Sequence, residues 1–193
     1  MFGYWSNIEI QSLRMAQEAK QTGKVIAFEP VNHLRERLEK NVALNRATQI
    51  EVLPYALSDF SGTSTMNINP KDENQGTASL SENGNTEIQV RKGDDLLNEM
   101  KIERLDFIKI DVEGFEYQVL RGLKENIQRF RSSIVFEYDN YYAKERGEKS
   151  YADFYQFFDE LNYTLFGVNE IGGELLNKNS QKIEANVLAI PQN

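Results

Sequence analysis

Apolar positions along the chain alternate between two spacings. Leu34, Leu38 and Val42 recur every four residues, so residues 32–45 predict a helix, with Asn32 placed to cap it. Ile10, Leu13 and Ala16 give residues 8–21 a similar character, and Gly23 suits the stop. Between these helices "KVIAFEP" is a short apolar run, a strand that ends at Glu29 and Pro30. "IEVLPYAL" predicts one further strand. "TSTMNI" and "EIQV" predict short strands on either side of residues 69–86, "NPKDENQGTASLSENGNT". That stretch has little to bury and reads as a long loop.

The second half repeats the alternation. "LDFIKID" predicts a strand, and Val119, Leu120, Leu123 and Ile127 predict one helix from Glu116 to Arg129. "SSIVFEY" is another strand, and Phe154, Phe157, Phe158 and Leu161 mark a helix from Tyr151 to Leu161. "YTLFGV" and "EANVLAIP" close the chain as strands, with Gly172 and Gly173 in the turn between them. Strands alternating with helices predict an α/β sandwich with a mostly parallel sheet. Such strands are buried on both faces, as the runs "VIAF", "FIKI" and "SIVF" suggest. The last two strands have no long helix between them, so they predict an antiparallel pair. There is no internal repeat or low-complexity linker, and residues 1–193 read as one domain.

Composition narrows the function. The net charge is −8, which disfavours unaided binding to nucleic acid or an anionic membrane. The chain has no cysteine, which excludes disulfides, thiolate metal sites and a cysteine nucleophile. No run approaches the ~18 apolar residues of a membrane span. The first residues lack the basic-then-apolar layout of a signal peptide, so the expected location is cytoplasmic.

In open α/β sheets, ligands bind beyond the carboxyl ends of the strands. Three predicted strand ends carry acids: Glu29, Asp111 and Glu137. A carboxylate at such a place suits a ribose diol, because each oxygen can accept from one hydroxyl; a solvated strand-end acid is the alternative. Glu113 and Glu116 are explained by the dipole and free N–H groups of the helix they begin. Asp111 is not, because it leaves the sheet before that helix. Gly114 permits a tight turn or a close backbone approach. His33, the one histidine, reads as a surface residue at the start of a helix rather than a catalytic group. The nucleophile-elbow pattern G-x-S-x-G and the P-loop are absent, and one histidine without cysteine does not make a zinc site, so no metal is expected.

Several blocks, in order, resemble one family. "GKVIAFEPVNHLRERLEKNVALN", "VLPYALSDFSGTSTMNI", "NQGTASL", "LDFIKIDVEGFEYQVLRGL" and "SSIVFEY" are similar to the FkbM family of S-adenosylmethionine-dependent methyltransferases. The resemblance implies a Rossmann-like methyltransferase sandwich. It also implies O-methylation of a hydroxyl on a small molecule or saccharide, with S-adenosylmethionine as cofactor. Carried onto this sequence, it places Glu29, followed by Pro30, at the ribose hydroxyls. Ala56, Leu57 and Ser58 fall near the adenine, and Asp111 near the amino-acid end of the cofactor. Asn74, Gly76 and Ser79 fall on the acceptor side. Asp111, Glu113 and Glu137 become the candidate catalytic groups, with Asp111 orienting and Glu113 or Glu137 taking the proton.

The family begins with a strand ending in D-x-G-A-N-x-G. Here the chain opens "MFGYWS", in which Gly3 and the three residues after it resemble the tail of that motif. The resemblance therefore implies a truncated or misassigned start, or a fragment, that lacks the first, central strand, unless "NIEI" substitutes as a poor strand. Two other readings follow. One is an inactive binding module without the full cofactor loop. The other is a dinucleotide or nucleotide-sugar enzyme, which predicts a G-x-G-x-x-G that the chain lacks. The aromatic residues Tyr138, Tyr141, Tyr142, Tyr151, Phe154 and Tyr155 fit either a sugar or small hydrophobic acceptor or ordinary packing.

Overall fold

The computed structural model describes residues 8–20, 22–68, 79–80, 84–112, 114–139, 149–169, 172–180, 183 and 186–192. The chain groups into two compact units, residues 1–57 with 61–91, and residues 58–60 with 92–193. None of the described helices is long and apolar enough to cross a membrane.

The first unit opens with α1 (Ile8–Ala19), β1 (Val25–Phe28), α2 (Asn32–Leu44) and β2 (Ile50–Leu53). β1 and β2 are parallel, with Val25 opposite Ile50 and Phe28 opposite Leu53. The periodic apolar positions are the ones that pack: Ala16, Val25, Ala27, Leu38, Ala47 and Ile50 form a core flanked by Leu13 and Val42. The turn after α1 is made by Lys20 at φ 56, and the Gly23 N–H donates to the Ala19 carbonyl at 3.1 Å. Asn32 does not cap α2. It is the first helical residue, and the extended residue before the helix is Val31, which offers no side-chain acceptor.

"IEVLPYAL" is two strands rather than one. Pro54 has no N–H to give a ladder, and the chain leaves β2 there to start β3 (Ala56–Ser58). β3 joins β4 (Gly62–Asn67), β5 (Ser79–Leu80) and β6 (Thr86–Lys92) in a four-stranded sheet of order β3-β6-β4-β5. β4 runs antiparallel to both β5 and β6. Beyond β4, the Asn85 side chain acts as one more rung: its Oδ1 accepts from Ile68 N–H at 3.0 Å and its Nδ2 donates to the Ile68 carbonyl at 2.7 Å.

The second unit contains α3 (Gly93–Glu99), β7 (Phe107–Ile110), α4 (Glu116–Gly122), α5 (Lys124–Phe130), β8 (Ser133–Glu137), α6 (Tyr151–Glu160), β9 (Tyr163–Asn169), β10 (Gly172–Leu175) and β11 (Asn186–Pro191). The sheet order is β10-β9-β11-β8-β7. β7 and β8 are parallel, and the other pairs are antiparallel, including the expected pair β9 and β11. Gly172 and Gly173 are not in a turn. They begin β10, with Gly172 opposite Asn169. Ile134, Phe136, Val187, Ala189, Tyr163 and Leu165 are buried on one sheet face. There Phe136 stacks on Phe154 and Phe158 of α6, with ring centroids 5.2 and 5.3 Å apart.

The helix predicted from Glu116 to Arg129 is two helices. The buried Asp94 of α3 accepts from the N–H groups of Glu125 and Asn126 at 3.1 and 2.9 Å, and so caps a new helix at Lys124. Gly122, the last residue of α4, lies against the Ser58 backbone. A Cβ at Gly122 would stand 1.9 Å from the Ser58 carbonyl oxygen. α3, which supplies the cap, is a short helix that the apolar periodicity does not mark.

Among the described residues, β1 pairs on one side only, with β2, and β7 on one side only, with β8.

Candidate active site

Glu29 follows β1 directly. Its N–H donates to the Leu53 carbonyl at 3.0 Å, extending the parallel pairing by one step. The side chain then folds over the turn, and Oε1 accepts from the Val31 N–H at 2.8 Å. Glu29 is only 9% exposed, so it is not a solvated strand-end acid. Burial pushes its carboxyl above the ordinary value, and the Val31 N–H, Arg35, His33 and Arg37 oppose that rise. Arg35 also donates to the Glu29 carbonyl oxygen at 3.4 Å and to Asn32 Oδ1. The guanidinium thus braces the turn that presents the carboxylate. Pro30 is half-buried and His33 is exposed.

Ala56 and Leu57 are half-buried on β3, and Ser58 is buried. The Ser58 hydroxyl donates to Asp59 Oδ1 at 3.4 Å, and its carbonyl closes against Gly122. These are packing contacts.

In the second unit, Ile110 lies opposite Phe136, so Asp111 and Glu137 leave β7 and β8 at one level. The structure therefore brings these two predicted acids to neighbouring strand ends. Lys109, two positions before Asp111 on the same face, places its Nζ 3.6 Å from Asp111 Oδ2. The same ammonium donates to Asn186 Oδ1 at 3.2 Å. Asn186 is the register partner of Glu137. Lys109 thus joins Asp111 and Asn186 into one polar group, and Glu137 lies at the same level by register. The Lys109 and Asp111 side chains are 14% and 12% exposed, so this ion pair is largely out of water.

Glu116 meets backbone N–H groups at the start of α4, as its position in the first helical turn predicts, but it does so buried. It is 5% exposed, and its carboxylate turns back to accept from Val112 N–H and Gly114 N–H, both at 2.9 Å. From that buried position it also ties down the turn that carries Asp111. Burial pushes its carboxyl up, and the charge of Asp111 adds to that, while the N–H groups of Val112, Gly114 and Glu116 itself oppose it. Gly114 sits at φ 100, where a side chain is strained.

Gly3, Asn74, Gly76 and Glu113 lie outside the described residues, as do Tyr141 and Tyr142. Ser79 opposes Asn67 in the short β5 pairing. Sequence reasoning missed Lys109 and Asn186. The period-two spacing of Phe107, Lys109 and Asp111 already puts the lysine on the face of the aspartate. Nothing local marks Asn186, because its place depends on the register of β11 against β8.

Asp111, Glu137 and Lys109 thus stand together at the ends of β7 and β8 in the second unit, and Glu29 follows β1 in the first. The methyltransferase FkbM domain matches residues 6–165, and the chain belongs to that family. It is 34% identical over 111 residues to the hexuronic acid methyltransferase AglP of Haloferax volcanii, across 58% of this chain and 46% of the relative. It is 26% identical over 164 residues to the methyltransferase sdnD of Sordaria araneosa, across 68% of this chain and 63% of the relative. The chain thus spans less than two thirds of the length of either relative. A crystal structure of a methyltransferase FkbM from Methylobacillus flagellatus matches with a TM-score of 0.56 at 17% identity, covering 96% of this chain and 41% of that one. That likeness is one of fold.

Proposed function

We propose that the chain transfers a methyl group from S-adenosylmethionine to a hydroxyl of a small molecule or sugar. The observation that carries this reading is the polar group at the ends of β7, β8 and β11, in which Asp111 and Glu137 stand at one level with Lys109 beside them. Family membership supports the reaction class. The relative named as a hexuronic acid methyltransferase supports a sugar as acceptor.

The residues suit such a cofactor. Glu29 has one oxygen bonded to the Val31 N–H, yet both of its oxygens keep lone pairs for hydroxyl donors. It is assigned the ribose hydroxyls, with Pro30 fixing the turn and Ala56, Leu57 and Ser58 assigned to the base. Asp111 is assigned the ammonium of the amino-acid end. S-adenosylmethionine, when bound, supplies an electrophilic methyl on a sulfonium. The protein's own part is to hold the acceptor oxygen in line with that methyl, which contributes up to ~7–11 kcal/mol in favourable cases. Glu137 or Glu113 is assigned the hydroxyl proton, a task typically worth ~10²–10⁴-fold. Asn74, Gly76 and Ser79 are assigned to the acceptor.

The test is transfer of a labelled methyl group from S-adenosylmethionine to a panel of hexuronic acids, neutral sugars and simple alcohols. Label appearing on a hydroxyl, and lost in Glu137→Gln, supports the reading. Unchanged turnover in both Asp111→Asn and Glu137→Gln removes the assigned chemistry.

A further inference from the structure

Lys109 stands out because of what its position costs. It lies in a short strand of otherwise apolar residues, "FIKI", and its side chain is 14% exposed. Its ammonium does not escape to water. It lies 3.6 Å from Asp111 Oδ2 on its own strand end and 3.2 Å from Asn186 Oδ1 on β11. β11 is two strands away, roughly 10 Å at the usual spacing. Lys109 is opposite Val135 and Val135 is opposite Leu188, so the side chain must cross β8 to reach Asn186.

A buried ion pair is a poor way to gain stability. Apolar residues of similar volume in its place are often neutral or stabilising, because both charges must be desolvated. A salt bridge does, however, fix direction. Asp111 follows the last residue of β7 and begins an irregular turn, where no strand register sets the direction of its side chain. The Lys109 ammonium fixes one carboxylate oxygen, and Asn186 fixes the ammonium.

We infer that Lys109 is a positioning residue: clamped by Asn186, it holds the Asp111 carboxylate in the direction needed to receive the amino-acid end of the methyl donor. This rests on the methyltransferase reading given above. It adds that the aim of Asp111 is set by a lysine of its own strand and an asparagine two strands away. The consequence is selective. A ligand with the amino-acid end should feel the loss of Lys109, and one without it should not.

Two ligands separate these cases: S-adenosylhomocysteine, which carries the amino-acid end, and 5′-methylthioadenosine, which lacks it. Both are titrated calorimetrically into the intact chain and into Lys109→Met, Lys109→Arg and Asn186→Leu. Removing one charge-assisted contact should weaken S-adenosylhomocysteine by about tenfold or more in Lys109→Met. 5′-Methylthioadenosine should stay within about threefold, since its contacts are elsewhere. Lys109→Arg should restore most of the loss, because a guanidinium can bridge the same two oxygens. Equal weakening of both ligands would make Lys109 a packing residue and overturn the inference. So would no weakening of either. If Lys109→Met does not fold, Asn186→Leu carries the test with the same selectivity and the same contrary results. If the parent chain binds neither ligand, the methyl-donor reading itself falls, and this inference falls with it. That outcome is distinct from loss of selectivity in a parent that binds both.

Discussion

Glu116 accepts the backbone N–H of Gly114 at 2.9 Å, across a turn in which Gly114 holds φ 100. The same carboxylate accepts from Val112 N–H, so one buried side chain satisfies two donors of the segment that leaves β7. Glu116→Ala leaves both without their acceptor, at about 1–3 kcal/mol each if they stay buried. Gly114→Ala forces a side chain into the left-handed region, at roughly 1–2 kcal/mol. Both losses should appear in urea unfolding of the single variants. A stability within about 0.5 kcal/mol of the parent for Glu116→Ala would mean that the turn does not depend on it.

The two buried glutamates give stability an unusual pH dependence. Glu29 and Glu116 both have carboxyls raised above 4.5, chiefly by burial. The folded chain therefore binds more protons than the unfolded chain in the window just above that value. The stability they contribute is complete below 4.5 and is lost as pH rises through their folded values. Asp153 works in the other direction. The Ser150 hydroxyl is the main cause holding it below 3.8, so its contribution is present above that value and lost as pH falls. Melting curves across the acid range should show Glu29→Gln and Glu116→Gln each flattening the decline above pH 4.5, relative to the parent. A parent whose stability rises throughout that window would contradict the assignment.

Gly122 has no room for a methyl group. The added Cβ would lie 1.9 Å from the Ser58 carbonyl oxygen and 2.6 Å from its carbon, which are backbone atoms that cannot swing aside. Gly122→Ala, which in an open helix would stabilise, should instead destabilise by about 1–3 kcal/mol. Chemical denaturation decides the sign.

Tyr151 illustrates the opposite case. It is 6% exposed, and its hydroxyl is buried with no hydrogen-bond partner among the described residues. Burial pushes that phenol up to about 12. Tyr151→Phe removes a desolvated group without a bond to lose, so stability should be unchanged or higher by up to about 1.5 kcal/mol. Tyr138 is the control, because its hydroxyl oxygen accepts from the Tyr151 N–H at 2.9 Å. Tyr138→Phe should cost about 1 kcal/mol. A marked loss in Tyr151→Phe would show that its hydroxyl has a partner in solution.

What was legible in the sequence was what local pattern controls. Leu38 and Val42 mark α2 because burial on one helix face needs their spacing, and "FIKI" and "SIVF" mark β7 and β8 as strands, although β7 is not buried as its apolar run predicts, since Phe107 is exposed. The acids at strand ends were also visible, and Asp111 and Glu137 do leave neighbouring strands together. What was not legible depended on partners far away in the chain. The break between α4 and α5 is imposed by Asp94, about thirty residues earlier. The extra strand β10 depends on β9 as a template, which overrides the turn preference of Gly172 and Gly173. Glu116 has the sequence signature of a helix-start acid, and only the path of the turn before it reveals which donors it meets.

Methyl transfer requires that this chain take up the donor, and Glu29 is the residue assigned its ribose hydroxyls. The deciding measurement is calorimetric titration of the intact chain with S-adenosylmethionine, repeated on Glu29→Gln. The account predicts saturable heat for the parent and affinity about tenfold or more weaker for Glu29→Gln, the loss expected when a charged acceptor is removed from bound hydroxyls. No heat at millimolar ligand, or equal affinity for the two chains, would contradict it.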